Sequence, residues 1–255
     1  INTNLIKDFS HLVRISTLVT KISLVNVDFS TFCGFQALCF GVQTGKGRAL
    51  PVWLNCITYP IKTVGSQNIF VLEEIKAFGK CLGFYPRFVF DRGFWIPCVM
   101  KFLLKNKILF YLRIKQGHHL FWNQKGQKQQ AKTIGRHTKD ATITVFGYKM
   151  RLIVSPPPPK QTNPKKKKNT QRWYILTNDM NASRVSILEI YATRFEIEET
   201  FKDYKHIQKL KILRIKTKET FTILLWFASL AQWIAWWVDE KKDAMEVHPK
   251  KQRSF

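Results

Sequence analysis

The sequence is short of acidic side chains. Asp and Glu number 17 against 42 Lys and Arg in 255 residues, a formal net charge of +25. In a globular composition that imbalance points first to nucleic acid as a partner and second to an anionic membrane surface. Cysteines at metal-binding spacing are also lacking. Cys33, Cys39, Cys56, Cys81 and Cys98 form no Cys-x-x-Cys pair and sit in apolar runs. They therefore read as reduced core thiols of a cytosolic protein, which excludes a zinc site or a disulfide framework. No signal peptide is evident. Gly45-Lys46-Gly47 lacks the spacing of a phosphate-binding loop and the Ser or Thr after its Lys, so it reads as a hairpin turn. Apolar side chains are plentiful: 45% of residues are hydrophobic and 14% aromatic, which supports a sizeable core and excludes wholesale disorder.

The most informative stretch is Tyr191 to Lys205, YATRFEIEETFKDYK. It holds good helix formers, no Pro or Gly, and apolar residues at three- and four-residue steps, so one helix is predicted. At about 100° per residue with Tyr191 at zero, Arg194 falls near −60°, Glu198 near −20° and Lys205 near −40°. A phenol, a guanidinium, a carboxylate and an ammonium share one stripe. Beside them Ile190, Ile197 and Phe201 would hold the helix on a core, while Glu196, Thr200 and Asp203 are predicted to face solvent. Two readings are open on spacing alone: a phosphate- and metal-handling face, or an amphipathic helix laced with surface salt bridges.

Upstream, a short helix is predicted around Leu12 to Val19 and a buried strand from Lys21 to Asp28, ending in an aspartate. Two strands follow, Phe35 to Thr44 and Ala49 to Tyr59, then a helix from Ile69 to Leu82. Arg87 to Asp91 reads as a strand that again ends in aspartate, with Arg92-Gly93-Phe94 turning the chain away. A helix over 96–104 and a strand over 108–115 complete an order that suggests a mixed sheet with helices on its faces. If Asp28 and Asp91 end neighbouring strands, their carboxylates converge at one sheet edge.

From 116 to 178 short strand-like runs (118–122, 141–146, 148–155, 173–177) alternate with polar, Lys-rich connections and read as a β-rich insertion. Pro156 to Pro159 followed by Lys165 to Lys168 reads as a stiff, then solvated loop. His118 and His119, adjacent on a strand, point to opposite faces and do not read as a metal site. Trp122 beside them is a candidate for stacking on a base. Thr220 to Val238 carries no charge and is long enough to cross a bilayer, but its Thr, Ser and Gln residues favour a buried helix packed under the polar stripe.

The spacing Tyr-x2-Arg-x3-Glu-x6-Lys, filled by Tyr191, Arg194, Glu198 and Lys205, resembles the signature of the insertion-sequence-four type of bacterial DDE transposases. Val25-Asn-Val-Asp28, Phe90-Asp91-Arg92-Gly93-Phe94 and Tyr174-Ile-Leu-Thr-Asn178 resemble further motifs of that family, so the similarity runs from about residue 20 to 238. The resemblance implies an α/β fold: a ribonuclease-H-like mixed sheet flanked by helices, with a β-rich insertion before the last catalytic helix. The core would comprise 1–115 and 179–240, the insertion 116–178, and a basic tail 241–255. Asp28, Asp91 and Glu198 would be catalytic and would hold two Mg2+ ions, with Mn2+ as a substitute. Tyr191, Arg194, Lys205, Arg92 and Trp122 would contact DNA. The partners implied are double-stranded DNA and a second copy in a synaptic dimer, in the nucleoid-associated cytoplasm of a bacterium and without a membrane. Only 27 residues precede Asp28 and the chain opens on Ile1, so the N-terminal end-recognition domain is expected to be missing. The alternative function is an inactive, truncated remnant that only binds DNA.

Overall fold

A computed structural model describes residues 22–32, 34–61, 65–117, 120–123, 125–157 and 172–246. The predicted helix at 12–19, Cys33, the His118–His119 pair and the Lys165–Lys168 run lie outside them. Ten strands form one sheet in the order β3-β2-β1-β4-β5-β10-β9-β8-β6-β7. Its first half runs β1 (Leu24–Phe32), β2 (Phe35–Gln43), β3 (Ala49–Thr58), β4 (Arg87–Phe90) and β5 (Phe110–Arg113). The first three are antiparallel neighbours, while β4 and β5 run parallel to β1. The second half, β6 (Leu120–Asn123), β7 (Lys128–Gln130), β8 (Asp140–Val145), β9 (Tyr148–Val154) and β10 (Tyr174–Thr177), is joined antiparallel to β5 through β10. Residues 116–178 therefore extend the same sheet.

Strands β2 and β3 are mostly apolar runs, and β1 is largely buried, because both sheet faces are covered. With a side-chain period of two, Val25, Val27, Leu38 and Phe40 face one layer, made by helices α1 (Ser66–Leu82) and α2 (Pro97–Lys105). Ala37, Cys39, Leu54 and Cys56 face the other. That second layer holds α4 (Arg184–Ala192), α5 (Phe195–His206) and α6 (Lys218–Glu246); a short α3 (Ala131–His137) packs near β7. Cys39 and Cys56 are free, buried thiols. Gly45 and Gly47 both take positive φ in the β2–β3 turn, which is a hairpin as expected.

The structure corrects several expectations. Tyr191 to Lys205 is two helices: α4 stops at Ala192 and α5 starts at Phe195. At the break the Thr193 hydroxyl bonds the Ile190 carbonyl, and the Asn26 amide takes the Thr193 carbonyl, so both compete with the helical ladder. The face of α5 expected in solvent is docked on the β2–β3 hairpin. Glu196 accepts from the Thr44 amide (3.0 Å) and Asp203 from Arg48 Nε (2.6 Å). Thr200, fully buried, accepts from the Ala49 amide (3.0 Å) and donates to the Ala49 carbonyl (2.8 Å). Thr200→Val keeps the shape but strands both groups of Ala49. A loss of about 2 kcal/mol in urea unfolding is expected, and an unchanged midpoint would contradict this docking.

Strand β7 and helix α3 lie where only polar connections were expected. Lys128-Gln-Gln130 has no apolar alternation and forms the last strand of the sheet. Helix α6 is only partly buried, unlike the core helix expected. One face packs Phe221, Leu225 and Trp226 into the core, but Phe227, Leu230, Ile234 and Trp237 are exposed. It is long and apolar enough to cross a membrane, and only 28% of its most apolar stretch is buried.

Candidate active site

The register of β1 on β4 builds the site. Val27 lies opposite Phe90, so Asp28 on β1 and Asp91 just past the end of β4 are neighbours across parallel strands. Asp28 was expected to end its strand but does not: β1 continues through it to Phe32, paired along β2. The carboxyl ends of parallel strands are where α/β sheets commonly place ligands. The α4–α5 break, held against β1 by Asn26, brings the third carboxylate to the same place.

Arg194 sits at that break and is 3% exposed. One guanidinium nitrogen reaches Asp28 Oδ2 at 3.3 Å and another forms a short contact with Glu198 Oε1. The guanidinium also lies 5.0 Å from the Phe195 ring centre. Burial alone would lower its pKa, but Tyr191 and the carboxylates Asp91, Glu198 and Asp28 outweigh that, so the cation is permanent. Tyr191, wholly buried against Trp173, donates its hydroxyl to Asp91 Oδ1 at 3.4 Å. Burial pushes its phenol pKa up and keeps it a donor. Asp28 is lifted from 3.8 to about 7, chiefly by burial; Arg194 and the Phe29 amide oppose the rise, while Asp91 and Glu198 add to it. Three carboxylates from distant points of the chain thus surround one guanidinium.

Of the candidate DNA contacts, Tyr191 and Arg194 are turned onto the carboxylates and not outwards. Lys205 is half-buried with its ammonium 5.2 Å from the Phe32 ring centre; burial and Lys211 lower its pKa, and Asp28 opposes this. Arg92 is exposed on the turn after Asp91. Trp122 does not join them. It lies on β6 under Lys128 (4.8 Å), four strand positions from β5, which is about 19 Å at the usual strand spacing. The sequence reading missed Arg113, Lys115 and Arg172. With Arg92 they line a cleft of about 950 Å3 that opens beside Asp91. Nothing local in the sequence marks them, since only the pairing of β5 with β10 places them together.

Residues 71–234 match the model of the family described as the transposase DDE domain, well over half of the chain. The chain belongs to that family. The matched stretch includes Asp91, Tyr191, Arg194, Glu198 and Lys205, while Asp28 precedes it. The DDE domain is also similar to a solved piggyBac transposase synaptic complex with hairpin DNA, at 10% identity and a TM-score of 0.46. That likeness covers 82% of this chain, which spans 45% of the piggyBac chain. No curated protein matches.

DDE transposases use divalent metal ions. Among the described residues no three His, Cys, Asp or Glu side chains are grouped to ligate one ion as they stand, and Arg194 bridges two of the candidates. The donor chemistry nonetheless fits. All three are hard carboxylates suited to Mg2+, and buried Asp28 is held by one guanidinium that also serves Glu198.

Proposed function

We propose that the chain is the catalytic portion of an insertion-sequence-four-like bacterial DDE transposase, cutting DNA and joining strands. The observation that carries this reading is the Arg194 guanidinium bonded to both Asp28 and Glu198, with Tyr191 fixing Asp91. The strand order β3-β2-β1-β4-β5 supports a ribonuclease-H-like core, and residues 116–178, with β6 to β10, are read as the insertion between β5 and the helix that carries Glu198. The substrate is double-stranded DNA, which suits the +25 charge. A dimeric synaptic complex and a nucleoid-associated bacterial location complete the proposal. Helix α6 is read as a packing helix and not a membrane span. Its Trp233 indole bonds the Pro51 carbonyl and its Ser229 pairs with Tyr204 in the core.

Asp28, Asp91 and Glu198 would hold two Mg2+ ions, which when bound activate an attacking water or 3′-hydroxyl and stabilise the leaving oxygen. The chain's own groups orient that set. Tyr191 holds Asp91 by its hydroxyl, the Phe29 amide holds Asp28 (2.8 Å), and Arg194 balances the carboxylate charge before loading.

The test is cleavage of labelled duplex DNA with Mg2+ or Mn2+ by wild type, Asp91→Ala and Glu198→Gln. Cleavage by wild type alone, with DNA binding kept in both variants, is expected. Metal-dependent cutting by Glu198→Gln would remove Glu198 from the site. Salt-sensitive binding without cleavage by any form would identify a remnant that keeps its fold without its chemistry.

A further inference from the structure

Tyr191 and Arg194 are committed to carboxylates, and Lys205 lies against an aromatic ring. The phosphates of a substrate strand must therefore meet other cations. The cleft beside Asp91 supplies them. Strands β4 and β5 are parallel and end at the same sheet edge, where β10, antiparallel to β5, begins. Asp91 and Arg92 leave β4 there, Arg113 ends β5, Lys115 follows it, and Arg172 precedes β10. The Ile114 amide bonds the Tyr174 carbonyl (2.8 Å) and locks the β5 and β10 segments together.

Among the described residues none of Arg92, Arg113, Lys115 and Arg172 forms an ion pair, whereas Arg48, Arg151 and Arg194 are each paired with an aspartate. Four uncompensated cations around one concavity leave strong positive charge directly beside a catalytic carboxylate. Trp95 and Tyr174 contribute aromatic wall. A basic groove with aromatic side chains matches the chemistry that holds an unpaired nucleic-acid strand. At about 950 Å3 the space is at the upper end of the ~300–1,000 Å3 range of enclosed ligand sites, a size for a few linked nucleotides and not for the side of a duplex.

We propose that this cleft is a subsite for an unpaired stretch of DNA strand, its phosphodiesters held by Arg92, Arg113, Lys115 and Arg172 next to the bond cut at Asp91. The inference rests on the transposase reading for the cutting step alone; strand binding stands independently of it.

Binding of a labelled oligothymidylate and of a blunt duplex is measured by fluorescence anisotropy over a salt series, with EDTA present. The Arg113→Gln/Arg172→Gln protein is compared with Lys80→Gln/Lys105→Gln, which loses the same charge from exposed helix positions. The cleft variant is expected to bind the unpaired strand about ten-fold more weakly. Its slope of log K against log salt falls by about 1.4, at 0.7 per phosphate contact for single strands. The control and the duplex change much less. Arg92→Gln, on an exposed turn, repeats the test if the double variant does not fold. Oligothymidylate binding equal to the control overturns the subsite, and cleavage by wild type in that case leaves the transposase reading standing. Cleft-dependent binding without any cleavage upholds the subsite and removes the nuclease. A wild type that binds neither DNA overturns both.

Discussion

Arg194→Met is expected to cost the metal-free protein about 3 kcal/mol at pH 8. The guanidinium is buried and bonded to two carboxylates, so its loss leaves Asp28 inside the protein without the cation bonded to it. Glu198 is half-exposed and regains water, which keeps the cost at the lower end of the range for broken buried pairs. Among the described residues the Arg194 Nε makes no hydrogen bond, so its removal breaks none there. The sign of the pH dependence follows from Asp28. Burial already raises its pKa to about 7 against the pull of Arg194, so without Arg194 it rises further. A protonated Asp28 needs no counter-charge, and the deficit should therefore shrink between pH 8 and pH 5 in urea unfolding. Arg194→Lys keeps the charge but cannot span both carboxylates, and an intermediate loss is expected. Mg2+ should stabilise the Met variant more than wild type, because ions on the carboxylates supply the missing charge. A Met variant as stable as wild type at pH 8 would show that the guanidinium does not hold the site together.

Why that role was hidden shows where sequence reading stops. Spacing correctly put Tyr191, Arg194 and Glu198 in one neighbourhood, because helical period survives a small break. It could not show which way an arginine turns. A charged side chain is expected at the surface, and the burial of Arg194 is set by Asp28, distant in sequence. The break itself depends on Asn26, equally distant. The buried strands were legible since the apolar runs of β2 and β3, and the apolar start of β1, reflect cover on both faces. Thr200 was misplaced for the related reason that a wheel gives the faces of a helix and not how many are covered; the hairpin took a second face of α5. Apolar run length likewise identified α6 as a long helix without saying what covers it, and half of it is uncovered. The cleft cations carry no sequence signal, because chain distance separates Arg113 from Arg172 and the sheet rejoins them.

Glu74→Ala should destabilise the protein by about 3 kcal/mol, with no part in the chemistry. Glu74 is a buried carboxylate on α1 that accepts from the Trp53 indole (2.6 Å) and the Asn55 amide (2.7 Å) of β3. Alanine leaves both donors unpaired and opens a void between helix and sheet. Glu74→Gln separates the terms: its oxygen serves one donor, while its amide nitrogen meets the other donor head-on. Burial lifts the Glu74 pKa above 4.5 although both hydrogen bonds oppose it. The folded state therefore holds that proton more tightly than the unfolded chain, and this contribution to stability, full below 4.5, is lost as pH rises through the folded value. Gln has no such term, so the gap between wild type and Glu74→Gln should narrow as pH rises from 4.5 towards 8. A gap that widens instead would mean that the ionised carboxylate is the favoured partner of Trp53 and Asn55, and that their hydrogen bonds outweigh its burial.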